Sequence, residues 1–122
     1  MTLLIDQQPN AESVRRKGLL AVCVSEGDGC CVVAPKGELD NSTADLLDAA
    51  IREAQAGAPQ QLVLDLRDLT FMNSSGLRLI LQAHARSRAD STRLRVVPGP
   101  NRVQRVFEIT GMDTQLPFSA RA

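Results

Sequence analysis

One stretch constrains this chain more than any other: residues 61–66 form a short apolar run that passes through a polar turn into a periodic helix. The run Gln61-Leu62-Val63-Leu64-Asp65-Leu66 has the look of a buried strand with a single acid. Leu77, Ile80, Leu81 and His84 then recur at i, i+3, i+4 and i+7, the helical period. Between them lies Asn73-Ser74-Ser75-Gly76, capping residues placed where a helix leaves its first backbone N–H groups unpaired. A hydroxyl there is expected to be exposed near the positive end of the helix dipole and able to carry a phosphate.

The remaining elements are expected to support that turn. Residues 19–25 and 30–34 are β-favouring runs around Gly27-Asp28-Gly29, which predicts a hairpin covered at least partly on both faces. Asn41-Ser42-Thr43 offers N-cap side chains, with Asp45 three residues after Ser42 as a weak capping box. Ala44, Leu47, Ala50, Ile51 and Ala54 mark the buried face of a helix ending near Gln55, before Gly57-Ala58-Pro59. Residues 94–97 predict another strand, and a last helix runs from about Asn101 to a C-terminal glycine, Gly111. Leu116-Pro117-Phe118 is expected to pack back as a short terminal segment. The order β-β-α-β-α-β-α predicts an α/β sandwich, a mixed sheet of about four main strands covered by helices. Residues 1–17 read as a flexible leader, 18–118 as a single domain and 119–122 as a tail.

Several functions are disfavoured on chemical grounds. The formal net charge is zero, so a nucleic-acid partner has little electrostatic support. Charge is uneven all the same: seven arginines lie between Arg78 and Arg105 against the single Asp90, whereas acids dominate from Glu26 to Asp68. No apolar run approaches the ~18 residues of a membrane span and no secretory signal is visible, so a cytoplasmic protein is expected. Cys23, Cys30 and Cys31 could face one another across the hairpin, but reduced core thiols are the simpler expectation. They lack a CxxC spacing and the one histidine, His84, sits on a distant helix, so no metal is expected. A serine hydrolase is also poorly supported. The turn lacks the first glycine of G-x-S-x-G, and His84 lies about 15 Å along a helix from Ser74. Asp65 and Asp68 flank the strand end with nothing to mark them as an acid–base pair. No phosphate-cradling, dinucleotide or other cofactor motif appears, which leaves a binding module rather than an enzyme.

Three blocks resemble one family. Asp68-Leu69-Thr70-Phe71-Met72-Asn73-Ser74-Ser75-Gly76-Leu77 is similar to the D-L-x-F-[ML]-D-S-[ST]-G-L signature of STAS domains, specifically bacterial anti-sigma factor antagonists. Gly37-Glu38-Leu39-Asp40 with Thr43-Ala44 resembles the family's G-E-[LI]-D-x-x-T-A block. Val103-Gln104-Arg105-Val106-Phe107-Glu108-Ile109-Thr110-Gly111-Met112 resembles its C-terminal helix. The resemblance implies a STAS-type fold and a partner, an anti-sigma factor that is also a serine kinase. It implies phosphorylation of Ser74 as the off-switch, and a serine phosphatase that reverses it. It further implies a partner-binding surface made of Asp40, Asn41, Thr43, Asn73, Ser74, Ser75, Gly76 and Leu77. The departure is Asn73 where the family usually has Asp: capping ability is kept and a charge is lost. Other STAS domains serve as adaptors in transporters or signalling assemblies without serine phosphorylation, and that is the alternative reading.

Overall fold

The structure, a computed structural model, describes residues 11–119. Three antiparallel strands open it: β1 (Ala11–Lys17), β2 (Leu20–Gly27) and β3 (Cys30–Leu39). Helix α1 (Ala44–Ala56), strands β4 (Gln61–Asp65) and β5 (Leu69–Met72) and helix α2 (Ser74–Ala89) follow. Strand β6 (Arg93–Val97), helix α3 (Asn101–Thr110) and a single 3₁₀ turn (Met112–Thr114) complete the chain. The sheet is mixed, in the order β1-β2-β3-β4-β6, with β5 paired to the far end of β3. Strands linked through helices are parallel, as a crossover connection requires.

The hairpin β2–β3 turns through Asp28 and Gly29, both at positive φ, the backbone that matches the twist of the flanking strands. Both strands are almost continuously apolar, yet only every second residue is fully buried. Leu20, Val22, Val24, Cys31 and Val33 join Leu62, Leu64, Leu94 and Val96 on the face that meets the helices. Their neighbours Ala21, Cys23, Val32 and Ala34 are half-buried, so the expected double coverage is partial. The register sets Cys23 opposite Ala34, Glu26 opposite Cys31 and Gly27 opposite Cys30, so the cysteines do not face one another. All three are free thiols, and burial, followed by nearby Glu26 and Cys30, pushes Cys31 up to about 11.

Two strands were not anticipated. The leader expected over residues 1–17 is strand β1 from Ala11 onward; residues 1–10 lie outside the described residues. β1 has no apolar alternation because its core-side positions are Arg15 and Lys17, which reach over to Glu53 and Asp45 of α1. Backbone pairing and ion pairs stand there in place of hydrophobic burial. Strand β5 is only four residues long, with Thr70 and Phe71 exposed, so it carries no period-2 pattern. The expected four strands are therefore six.

The C-terminal segment packs as expected. Phe118 bridges Val96, and its ring meets the buried Phe107 edge-on, with centroids 5.0 Å apart. Ser119, assigned to the tail, donates its backbone N–H to Val96; residues 120–122 lie outside the described residues. Among the described residues no helix is long and apolar enough to cross a membrane.

Candidate functional site

Strand β3 changes partner midway. Its first half pairs with β4 over residues 30–33, and its second half pairs with β5 from Gly37 onward, with a register shift between Gly37 and Glu38. The ends of β3 and β5 therefore lie side by side, and the chain leaves one into residues 40–43 and the other into α2. The Asn73 N–H donates to the Leu39 carbonyl at 3.2 Å and ties the two exits together.

At the start of α2, Asn73 is the N-cap in extended backbone, and its side-chain Oδ1 accepts the Ser75 N–H at 3.0 Å. Gly76 follows with no room for a side chain: a Cβ there would lie 2.6 Å from Met72 Cγ and 2.7 Å from Leu39 Cδ2. This close approach seats the first turn of α2 directly on the ends of β3 and β5.

The two serines have different environments. Ser75 is half-buried and its hydroxyl donates to Asn41 Oδ1, whereas Ser74 is exposed and its hydroxyl has no hydrogen bond among the described residues. Asn73 Nδ2 donates to the same Asn41 Oδ1, at 3.3 Å. Across from them, the Asp40 carboxylate accepts the Ser42 N–H at 2.9 Å and the Ser42 hydroxyl at 2.7 Å. Those bonds hold the Asp40 carboxyl below its usual range, with Ser42 the main cause and Thr43 a lesser one.

Sequence reasoning placed eight residues on this surface, and the structure separates them. Asn41 and Ser74 are exposed, while Asp40, Asn73 and Ser75 are partly exposed. Thr43, Gly76 and Leu77 are buried, so they support the surface and do not present it. Thr43 is the α1 N-cap, yet its hydroxyl makes no cap bond; it donates to the Glu38 carbonyl and accepts the Asp40 N–H. The expected capping box is absent for the same reason, since Ser42 binds back to Asp40 and Asp45 pairs with Lys17. Leu77 points into the core because it opens the apolar stripe of α2.

Phe71, two residues before the cap, was passed over by the sequence reading, and it is a large apolar side chain 40% exposed beside this surface. Its apolar neighbours Leu69 and Met72 are both buried. Between α1 and α2 a groove of about 260 Å³ extends from Ser75 past Ala44, Asp45, Asp48 and Arg78.

The alternative chemistries find no assembled site among the described residues. His84 does not bond any residue of the turn, and its Nδ1 is buried without a partner there. Burial, then Arg88, lowers the His84 pKa and favours the neutral ring. Asp65 binds the Arg67 guanidinium and N–H, whereas Asp68 lies 4.0 Å from Lys36, so the two acids do not form a pair.

Comparison with known proteins gives a consistent set. The STAS domain family model matches residues 22–121. The anti-sigma-F factor antagonist RsfB of Mycobacterium tuberculosis is 34% identical over 94 residues, 77% of this chain and 76% of that protein. An anti-sigma F factor antagonist of Paenibacillus polymyxa is 31% identical over 94 residues, 74% of this chain and 78% of that protein. The crystal structure of an anti-sigma factor antagonist from Mycobacterium paratuberculosis superposes with a TM-score of 0.77 at 30% identity, covering 84% of this chain and 86% of that one.

Proposed function

This chain belongs to the STAS domain family, and from that premise we propose that it is an anti-sigma factor antagonist, a binding protein and not an enzyme. In this reading it engages an anti-sigma factor through the surface around Ser74 and so frees a sigma factor. The anti-sigma factor's own serine kinase activity phosphorylates Ser74 and ends the association, and a serine phosphatase restores it. The names of the similar proteins support the antagonist role.

One observation carries the choice of Ser74: it is exposed and its hydroxyl has no bond among the described residues, while that of Ser75 is engaged by Asn41 and that of Thr70 by the Gly37 carbonyl. A free hydroxyl can enter a kinase active site without breaking a bond in its own domain. A phosphate on the first residue of α2 meets the positive end of the helix dipole, so the fold tolerates it. It also places nearly two negative charges and added bulk in the centre of the contact surface, which opposes association.

Phosphopeptide mapping of the protein from its native host tests the assignment. Trypsin cutting after Arg67 and Arg78 isolates residues 68–78, whose hydroxyl side chains are Thr70, Ser74 and Ser75. Phosphate on Ser74 that varies with growth or stress is expected, and its absence under every condition would remove the switch. Ser74→Ala should retain partner binding while losing the label, and labelling at full level would exclude Ser74 as acceptor. Ser74→Glu should weaken binding to the anti-sigma factor by about tenfold or more, as a like charge in a contact surface does. Unchanged affinity would contradict the repulsion argument.

A further inference from the structure

Among the described residues, the hydrogen bonds that join residues 40–43 to residues 73–75 all end on one atom, Asn41 Oδ1. Their directions are fixed. The Ser75 N–H is a donor, so the atom of Asn73 that accepts it is Oδ1 and the atom facing Asn41 is Nδ2. The atom of Asn41 that receives Nδ2 must be an acceptor, and the Ser75 hydroxyl completes the ring by donating to it. Every polar position in this ring depends on the others. The other hydrogen bonds of residues 40–43 among the described residues run among themselves and to their chain neighbours Glu38, Ala44 and Leu46.

We propose that Asn41 is a positioning residue of the Ser74 surface: it fastens residues 40–43 to the start of α2 so that the two segments present one surface, through a side chain at 73 long enough to reach it. The proposal rests on the reading that this surface binds the partner. The reach of the side chain is what matters. A carboxylate at 73 would still accept the Ser75 N–H, and the Asn41 amide can turn over to donate Nδ2 to it while Ser75 Oγ accepts, so the tie survives. A serine at 73 still caps α2 but ends one atom short of Asn41. The same ring keeps the Ser75 hydroxyl occupied and so leaves Ser74 as the free hydroxyl of the pair.

Two simple ideas therefore give opposite expectations for Asn73→Ser. If residue 73 only caps α2, the variant is close to neutral. If Asn41 holds the two segments together through it, residues 40–43 loosen while the cap survives. Amide hydrogen exchange on the full chain separates the two. In Asn73→Ser the Ser75 amide should stay protected, and the Ser42, Thr43 and Ala44 amides should exchange about fivefold faster, the effect of one neutral hydrogen bond. Asn41→Ala should produce the same acceleration, and the double variant should add nothing to it. Unchanged exchange at Ser42–Ala44 in Asn73→Ser, or fully additive effects in the double variant, would overturn the proposal. These readouts need no partner, so the tie can fail while Ser74 is still phosphorylated in the host, and the reverse can also be seen.

Discussion

Gly37→Ala should lower the thermal midpoint by roughly 12 °C, reflecting a loss of about 3 kcal/mol. Two costs combine at this residue. Its φ of +106° lies where an L side chain is strained, and a Cβ would stand 2.1 Å from the backbone carbonyl oxygen of Leu19. That oxygen cannot retreat, because it accepts the Glu38 N–H at 2.9 Å. Gly37 is also the first residue of β3 to pair with β5, with its own N–H given to the Asp68 carbonyl and its carbonyl taken by the Thr70 hydroxyl. A displaced Gly37 therefore moves β5 and the turn beyond it. Gly111→Ala is the control: φ there is +76°, but a Cβ would meet nothing within 4 Å, so only the backbone strain remains. That variant should cost about 1 kcal/mol. A Gly37→Ala protein no less stable than Gly111→Ala would show that the Leu19 contact relaxes freely.

Gly76→Ala should also destabilise, although it places the better helix former in a helix. The gain in helix propensity is about 1 kcal/mol. Against it stand overlaps at 2.6 Å with Met72 Cγ and at 2.7 and 2.9 Å with the Leu39 side chain. Both neighbours are buried; Met72 Cγ and Leu39 Cγ lie within their side chains, and the Leu39 Cδ2 methyl is fixed in the core. Overpacking of that kind costs about 1–3 kcal/mol and exceeds the propensity gain. A net loss of about 1 kcal/mol, roughly 4 °C in midpoint, is expected. The consequence for binding is more telling than the stability change. The first turn of α2 can escape the overlap only by lifting away from the ends of β3 and β5, and Asn73, Ser74 and Ser75 move with it. Partner affinity should then fall more than the small stability loss explains. A midpoint at or above that of the unaltered protein would mean that Met72 and Leu39 make room.

The fold shows why some of this was legible in the amino-acid order. Ala44, Leu47, Ile51 and Ala54 recur at helical spacing, and Gly57 follows the helix end. Asp28-Gly29 takes the one turn that such a pair favours. Asn73 caps α2 with its own side chain, and Gly111 ends α3 in the left-handed conformation. Each of these is decided within a few residues, by propensity, periodicity or a local hydrogen bond, so the order of residues is enough to determine it.

Other features were decided by the tertiary structure. Strand β1 carries Arg15 and Lys17 toward Glu53 and Asp45 of α1, and its backbone pairing along β2 makes a strand of a segment with no apolar pattern. Strand β5 exists because β3 runs on past its pairing with β4 and offers a second stretch of free backbone. Thr43 and Leu77 look as available as Asn41 and Ser74 in a linear reading, but packing of α1 and α2 on the sheet buries the first pair and exposes the second. The ring of Asn41, Asn73 and Ser75 joins side chains 32 and 34 residues apart. No local property of an asparagine specifies which distant donors will meet its oxygen. The sequence by itself determined the strands and helices whose stabilising contacts are near neighbours, together with the presence of a serine at a helix start. Which serine is free, and what holds the opposing loop beside it, depends on distances across the sheet that only the assembled chain defines.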